Sequence, residues 1–168
     1  MLGWYRQCSI IPHDLDLDTA SWIEDFDDWM IPYFAKHPVV PIYVKFGKKD
    51  DSLEFKMGNK HKRTIDLFWV YQGPGKDQVW SGIQTFDGKY TKKYNTFPAI
   101  REICAADLHD YLVYVPCNAK SVIEVEYGKD AWYRPNKKYN YRYATNSHVN
   151  GTWTAKQWKS GEVYEIYQ

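Results

Sequence analysis

Asp14-Leu15-Asp16-Leu17-Asp18 alternates acid and leucine without a break. That pattern predicts a β-strand, because successive side chains of a strand point to opposite faces; the aspartates share one face and the leucines a buried other. Three neighbouring carboxylates repel one another, more strongly away from water, and a divalent cation removes that objection. Mg2+ takes oxygen ligands at about 2.1 Å, with one or two carboxylates completed by substrate phosphates. A further acid fits the same scheme. Thr64-Ile65-Asp66-Leu67-Phe68-Trp69-Val70-Tyr71 is an apolar strand interrupted once, and a carboxylate inside such a run has to be paired, protonated or bound to a cation. If the two strands are neighbours, Asp16, Asp18 and Asp66 form a three-carboxylate metal site. Two plainer readings compete: a charged edge strand that resists aggregation, and Asp66 as a structural partner of Arg63 or a lysine.

Working outward, Met1 to Cys8 predicts a helix end or a helix-to-strand turn, and His13 a turn residue. Ser21 with Glu24 reads as a capping box opening a helix whose stripe is Trp22, Ile23, Phe26, Trp29 and Met30, ending near Pro32. Strands are expected at Ile42–Phe46, Ser52–Met57 and Arg63–Tyr71, with turns at Lys48-Lys49-Asp50-Asp51 and Gly58-Asn59-Lys60. Gln72-Gly73-Pro74-Gly75 breaks the chain. Shorter strands follow at Val79–Phe86 and Tyr111–Val115, then a helix from about Asn118 to Tyr127 stopped by Gly128. The tail from Ala131 reads as irregular, with a short helix at Thr154–Trp158. One mixed domain of the α+β class spanning 1–168 is the economical architecture.

Composition narrows the function. The 168 residues carry a net charge of +1, so no global field draws in nucleic acid. No run reaches the roughly 18 apolar residues of a membrane-spanning helix. The charge is nevertheless segregated. Asp14 to Asp28 holds seven acids and no base, and Arg134 to Arg142 holds four bases and no acid. A carboxylate cluster with separate cations suits metal-bound phosphates, and Arg134, Lys137 and Lys138 are candidates for an acceptor phosphate, beside the plainer reading of a wetted loop. Arg6, in Gly3-Trp4-Tyr5-Arg6, can grip a phosphate through its planar fork; the plainer reading is a surface arginine over Trp4 or Tyr5. The aromatic content, 18% with 15 Tyr and 8 Trp, suits strands and also sites for rings and sugars. Walker, Rossmann and nucleophile-elbow motifs are absent. Cys8, Cys104 and Cys117 lack zinc spacing and are expected as buried free thiols, although one disulfide is open to them. Asn150-Gly151-Thr152 is a glycosylation sequon.

Leu2-Gly3-Trp4-Tyr5-Arg6-Gln7-Cys8, Ile10-Ile11-Pro12-His13 and Leu15-Asp16-Leu17-Asp18, taken together, resemble the signature of the fukutin family within the broader LicD group. The similarity continues through Lys45-Phe46-Gly47, Asp51-Ser52-Leu53-Glu54, Ile65-Asp66-Leu67-Phe68, Val115-Pro116-Cys117, Glu126-Tyr127-Gly128-Lys129 and Asn150-Gly151-Thr152-Trp153. The resemblance implies a nucleotidyltransferase-like mixed sheet with flanking helices and a Golgi or secretory-lumen setting. It also implies transfer of ribitol 5-phosphate from CDP-ribitol to a glycan acceptor, with Mg2+ or Mn2+ on Asp16, Asp18 and Asp66. Asp66 would activate the attacking hydroxyl, and Gly3 and Arg6 would serve the donor phosphates. The family pattern begins earlier, with a Gly-Ser/Thr-Leu-Leu-Gly stretch, an anchor and a stem, so the resemblance implies an N-terminally truncated member. The alternatives are a non-catalytic binding or scaffold module of the same fold and a CDP-choline-dependent phosphocholine transferase.

Overall fold

The computed structural model describes residues 1–58, 64–85, 87–135 and 139–167, with the backbone alone at residue 142. The expected roles of Arg63, Lys137 and Lys138, the turn at Asn59-Lys60 and the strand end at Phe86 lie outside them. The chain is of the α+β class and divides into two compact units: residues 15–71, 80–95 and 148–168 form one, residues 1–14, 72–79 and 96–147 the other.

The larger unit is built on a mixed sheet. β1 (Asp16–Trp22), β2 (Ile42–Lys48), β3 (Asp51–Gly58), β4 (Thr64–Gln72), β5 (Gln78–Ile83), β6 (Thr91–Pro98), β9 (Ser147–Thr152) and β10 (Tyr164–Ile166) are ordered β10-β2-β3-β4-β5-β6-β9, with β1 joined to β4. β2, β3 and β4 pair antiparallel, whereas β1 runs parallel to β4 with Asp18 opposite Asp66. Leu53, Phe55 and Met57 of β3 point to one face and are buried with Ile42, Trp69, Tyr71 and Phe26. Phe26, Phe55 and Trp69 meet edge-on at 5.2–6.2 Å, the arrangement that aromatic quadrupoles prefer. The opposite face of β3 carries Glu54 and Lys56.

Two expectations fail here. The helix read from Ser21 is absent: Ser21 and Trp22 continue β1, opposite Trp69 and Val70. A 3-10 turn then spans Ile23–Asp25, and the helix, α2, is Met30–Ala35. Pairing along seven β4 positions outweighs a local cap, and Pro32 is tolerated in the first helical turn, whose N–H groups have no intrahelical acceptor. Leu15 and Leu17 are 70% and 48% exposed rather than buried; among the described residues β1 pairs with β4 and lies off the main order of the sheet.

The smaller unit holds α1 (Leu2–Gln7), α3 (Ala119–Tyr127) and a two-stranded ribbon of β7 (Ile103–Leu108) and β8 (Tyr111–Pro116). Gly128 ends α3 with φ 100°, as its placement after the helical pattern predicts. The ribbon corrects the cysteine reading. Antiparallel register sets Cys104 opposite Val115, within reach of Cys117, and the two form a disulfide, while Cys8 is free but exposed. In the tail, α4 (Ala155–Lys159) is capped by a reciprocal Thr154–Gln157 box.

Candidate metal centre

Parallel register and the two-residue strand period together place Asp16, Asp18 and Asp66 on one face of the sheet. One carboxylate oxygen from each lies within 4.8 Å of the others. Asp16 and Asp18 are exposed, and Asp66 is 7% exposed. Thr19 ties the two strands together by donating its hydroxyl proton to the Asp66 carbonyl oxygen at 3.2 Å.

Antiparallel register on the other side of β4 puts Lys56 opposite Asp66. The Lys56 ammonium donates to Asp66 Oδ2 at 2.5 Å and lies 3.3 Å from Glu54 Oε1. Glu54 is 2% exposed, and its Oε2 accepts the Gln84 backbone N–H at 3.0 Å. Burial pushes the Glu54 carboxyl up to about 7; Lys56 and the Gln84 N–H pull it down, and the Asp66 charge pushes it up. Burial disfavours the charge on Lys56, but Glu54 and Asp66 outweigh it and hold the ammonium above the usual lysine range. Tyr43, hydrogen-bonded to the Thr64 side chain, is raised chiefly by burial.

Asp66 Oδ1 is buried and has no hydrogen-bond partner among the described residues. An orphaned carboxylate oxygen inside a protein is costly, and here it sits beside two further carboxylates. Three hard oxygen donors with this spacing fit Mg2+ or Mn2+, which would replace the missing hydrogen bond with a metal bond.

The remaining candidates stand elsewhere. Gly3 and Arg6 belong to the smaller unit, on α1. Gly3 is buried, and a Cβ there would come within 2.6 Å of the Ser9 carbonyl oxygen, so its smallness serves the packing of the helix on the following turn. Arg6 is half-buried in the last turn of α1, and the Arg134 guanidinium lies over the Tyr133 ring at 5.1 Å. His13 lies in a turn, as expected. The reading from sequence allowed Asp66 a lysine partner without naming Lys56, which the structure supplies, and it missed Glu54 as a buried acid. The signal was Glu54 and Lys56 alternating with Leu53, Phe55 and Met57, a polar face on a strand otherwise apolar.

The chain is of the α+β class, with carboxylates on adjacent parallel strands that could hold a hard divalent ion and a lysine behind them. Comparison with known proteins narrows the class. The chain belongs to the LicD/FKTN/FKRP family, whose profile, described as the LicD/FKTN/FKRP nucleotidyltransferase domain, matches residues 1–118. It is 36% identical to ribitol-5-phosphate transferase FKTN of Homo sapiens and of Mus musculus, covering 99% of this chain and 34% of each relative. It is 35% identical to the uncharacterized protein W02B3.4 of Caenorhabditis elegans, covering all of this chain and 44% of that protein. The chain thus spans between a third and a half of the length of these curated relatives. No solved structure matches.

Proposed function

We propose that this chain provides the metal-dependent centre of a ribitol-phosphate transferase acting in protein glycosylation, with CDP-ribitol as donor and a glycan as acceptor. The observation that carries the reading is the convergence of one carboxylate oxygen each from Asp16, Asp18 and Asp66 within 4.8 Å of one another, in a family with ribitol-5-phosphate transferases among its relatives. Asp16, Asp18 and Asp66 would hold Mg2+ or Mn2+, which when bound supplies charge neutralisation at the donor diphosphate. Lys56 holds Asp66 by Oδ2, while Oδ1 has no hydrogen-bond partner among the described residues. Asp66 then takes the proton of the acceptor hydroxyl, whose oxygen bonds to the phosphorus bearing ribitol while the bond from that phosphorus to the CMP oxygen breaks. The catalytic contribution is positioning and electrostatics. Gly3 and Arg6 are assigned to the donor phosphates on the strength of the sequence pattern. The disulfide supports a secretory-pathway setting, since such bonds persist in oxidising compartments.

The test is calorimetric titration of CDP-ribitol with Mn2+ present, followed by measurement of CMP release with a glycan acceptor. Binding and release are expected in the native chain, with release falling by about a thousandfold or more in Asp66→Asn and Asp16→Asn. A folded chain that gives no binding heat is a scaffold, and one that releases CMP from CDP-choline in preference to CDP-ribitol is a phosphocholine transferase; either overturns the proposal.

A further inference from the structure

The smaller unit contains a cavity unrelated to the aspartate cluster. It has a volume of about 220 Å³ and is lined chiefly by Glu126, Tyr127, Gly128, Tyr139, Asn140 and Tyr143. The walls are aromatic: the Tyr127 and Tyr139 rings stand 4.6 Å apart at 46°, and Tyr143 is 82% exposed at the rim. One charged group is set among them. Glu126 Oε1 accepts the Tyr139 hydroxyl proton at 2.7 Å, and Oε2 accepts from Asn146 Nδ2 at 3.2 Å. Asn146 is 4% exposed and also donates to the Thr96 carbonyl at 3.2 Å, which anchors it from behind. A carboxylate offers about four lone-pair positions, so each Glu126 oxygen retains acceptor capacity. Gly128, at φ 100°, also lines the cavity, with open space where a Cβ would stand.

We infer that this cavity binds one neutral sugar ring of the glycan acceptor, an assignment that rests on the reading of the chain as a glycan-modifying transferase. Flat tyrosine rings cover the C–H face of a pyranose, while the fixed Glu126 carboxylate can meet its hydroxyls. The volume lies below the ~300–1,000 Å³ of pockets for drug-sized ligands, which favours a single ring over a nucleotide. The Glu126 charge disfavours a phosphate in the same place.

The experiment is saturation-transfer NMR on the full chain with methyl β-galactoside, methyl β-glucoside and N-acetylglucosamine, each at about 10 mM to suit millimolar affinity. At least one sugar is expected to show transfer, reduced about tenfold or more in affinity by Glu126→Gln and severalfold by Tyr143→Ala. Tyr143 is at the surface, so its loss does not threaten folding. Transfer to none of the sugars, transfer unchanged in both cavity variants, or displacement by equimolar inorganic phosphate would each overturn the assignment. Sugar binding without CMP release in the native chain would instead refute the transferase reading and leave the cavity's ligand standing.

Discussion

Replacing Lys56 with methionine removes the cation shared by a buried pair of acids, Glu54 and Asp66, while keeping most of the side chain's volume. In the native chain the ammonium lies 2.5 Å from Asp66 Oδ2 and 3.3 Å from Glu54 Oε1, and the two acid side chains are 10% and 2% exposed. At 3.3 Å and an effective dielectric of about 20, one such pair attracts by about 5 kcal/mol before desolvation is counted. Desolvation of the ammonium offsets part of this, and breaking a buried pair by removing one partner costs about 3–5 kcal/mol because a charge is left uncompensated. Lys56→Met should therefore lose about 3–5 kcal/mol in urea unfolding at pH 8. The penalty also has a pH signature. The Glu54 carboxyl is already raised from 4.5 to about 7 in the folded chain, with Lys56 among the groups that lower it. Removing Lys56 raises the folded value further, so the variant's deficit grows as pH rises above about 7, where Glu54 ionises in the native chain and still resists ionising in the variant. The deficit is smaller below that, where Glu54 is protonated in both folded proteins. Urea melts of both proteins at pH 5 and pH 8 measure it. A loss under about 1 kcal/mol that is equal at both pH values would refute the account of a lysine clamped between two buried acids.

Glu54→Gln should flatten the native dependence of stability on pH between about 4.5 and 7: the native chain loses stability relative to this variant as pH rises through that window, by about 3 kcal/mol if the shift to about 7 holds, readable from melting temperatures across the range. Removing the Cys104–Cys117 bridge, which spans 13 residues, by a double serine substitution should cost about 3 kcal/mol on chain-entropy grounds; urea melts of the native and variant chains would show it, and an unchanged midpoint would contradict it. Gly82→Ala should destabilise by about 1–3 kcal/mol, because its Cβ would fall 2.2 Å from the Ser52 Cβ and 2.5 Å from the Ser52 Cα, where Ser52 itself is held at φ 60°; a thermal melt with no shift would argue against that tight contact.

The amino-acid order alone determined the acid face. Alternation at Asp14–Asp18 and the lone acid in Thr64–Tyr71 depend only on the two-residue period of a strand, and the structure keeps both strands, beginning β1 at Asp16. The turn at Lys49-Asp50 and the end of α3 at Gly128 were equally local, since each follows from the backbone freedom of a few residues. Local pattern failed where distant chain decided. Ser21 and Glu24 look like a helix cap, yet β4 claimed Ser21 for its ladder. The disulfide depends on the register of β7 against β8, and β7 itself, Ile-Cys-Ala-Ala-Asp-Leu, carries too weak an alternation to announce a strand.

Burial, too, belonged to the tertiary structure. Sequence can say that three aspartates repel, but it cannot say that Asp66 sits at 7% exposure while Asp16 and Asp18 face water, because that depends on which strands flank β4. The parallel placement of β1 on one edge and the antiparallel placement of β3 on the other delivered two opposing influences to one carboxylate: a pair of like charges and the Lys56 ammonium. Electrostatic energy depends on distance and on the surrounding medium, and both are properties of the folded chain.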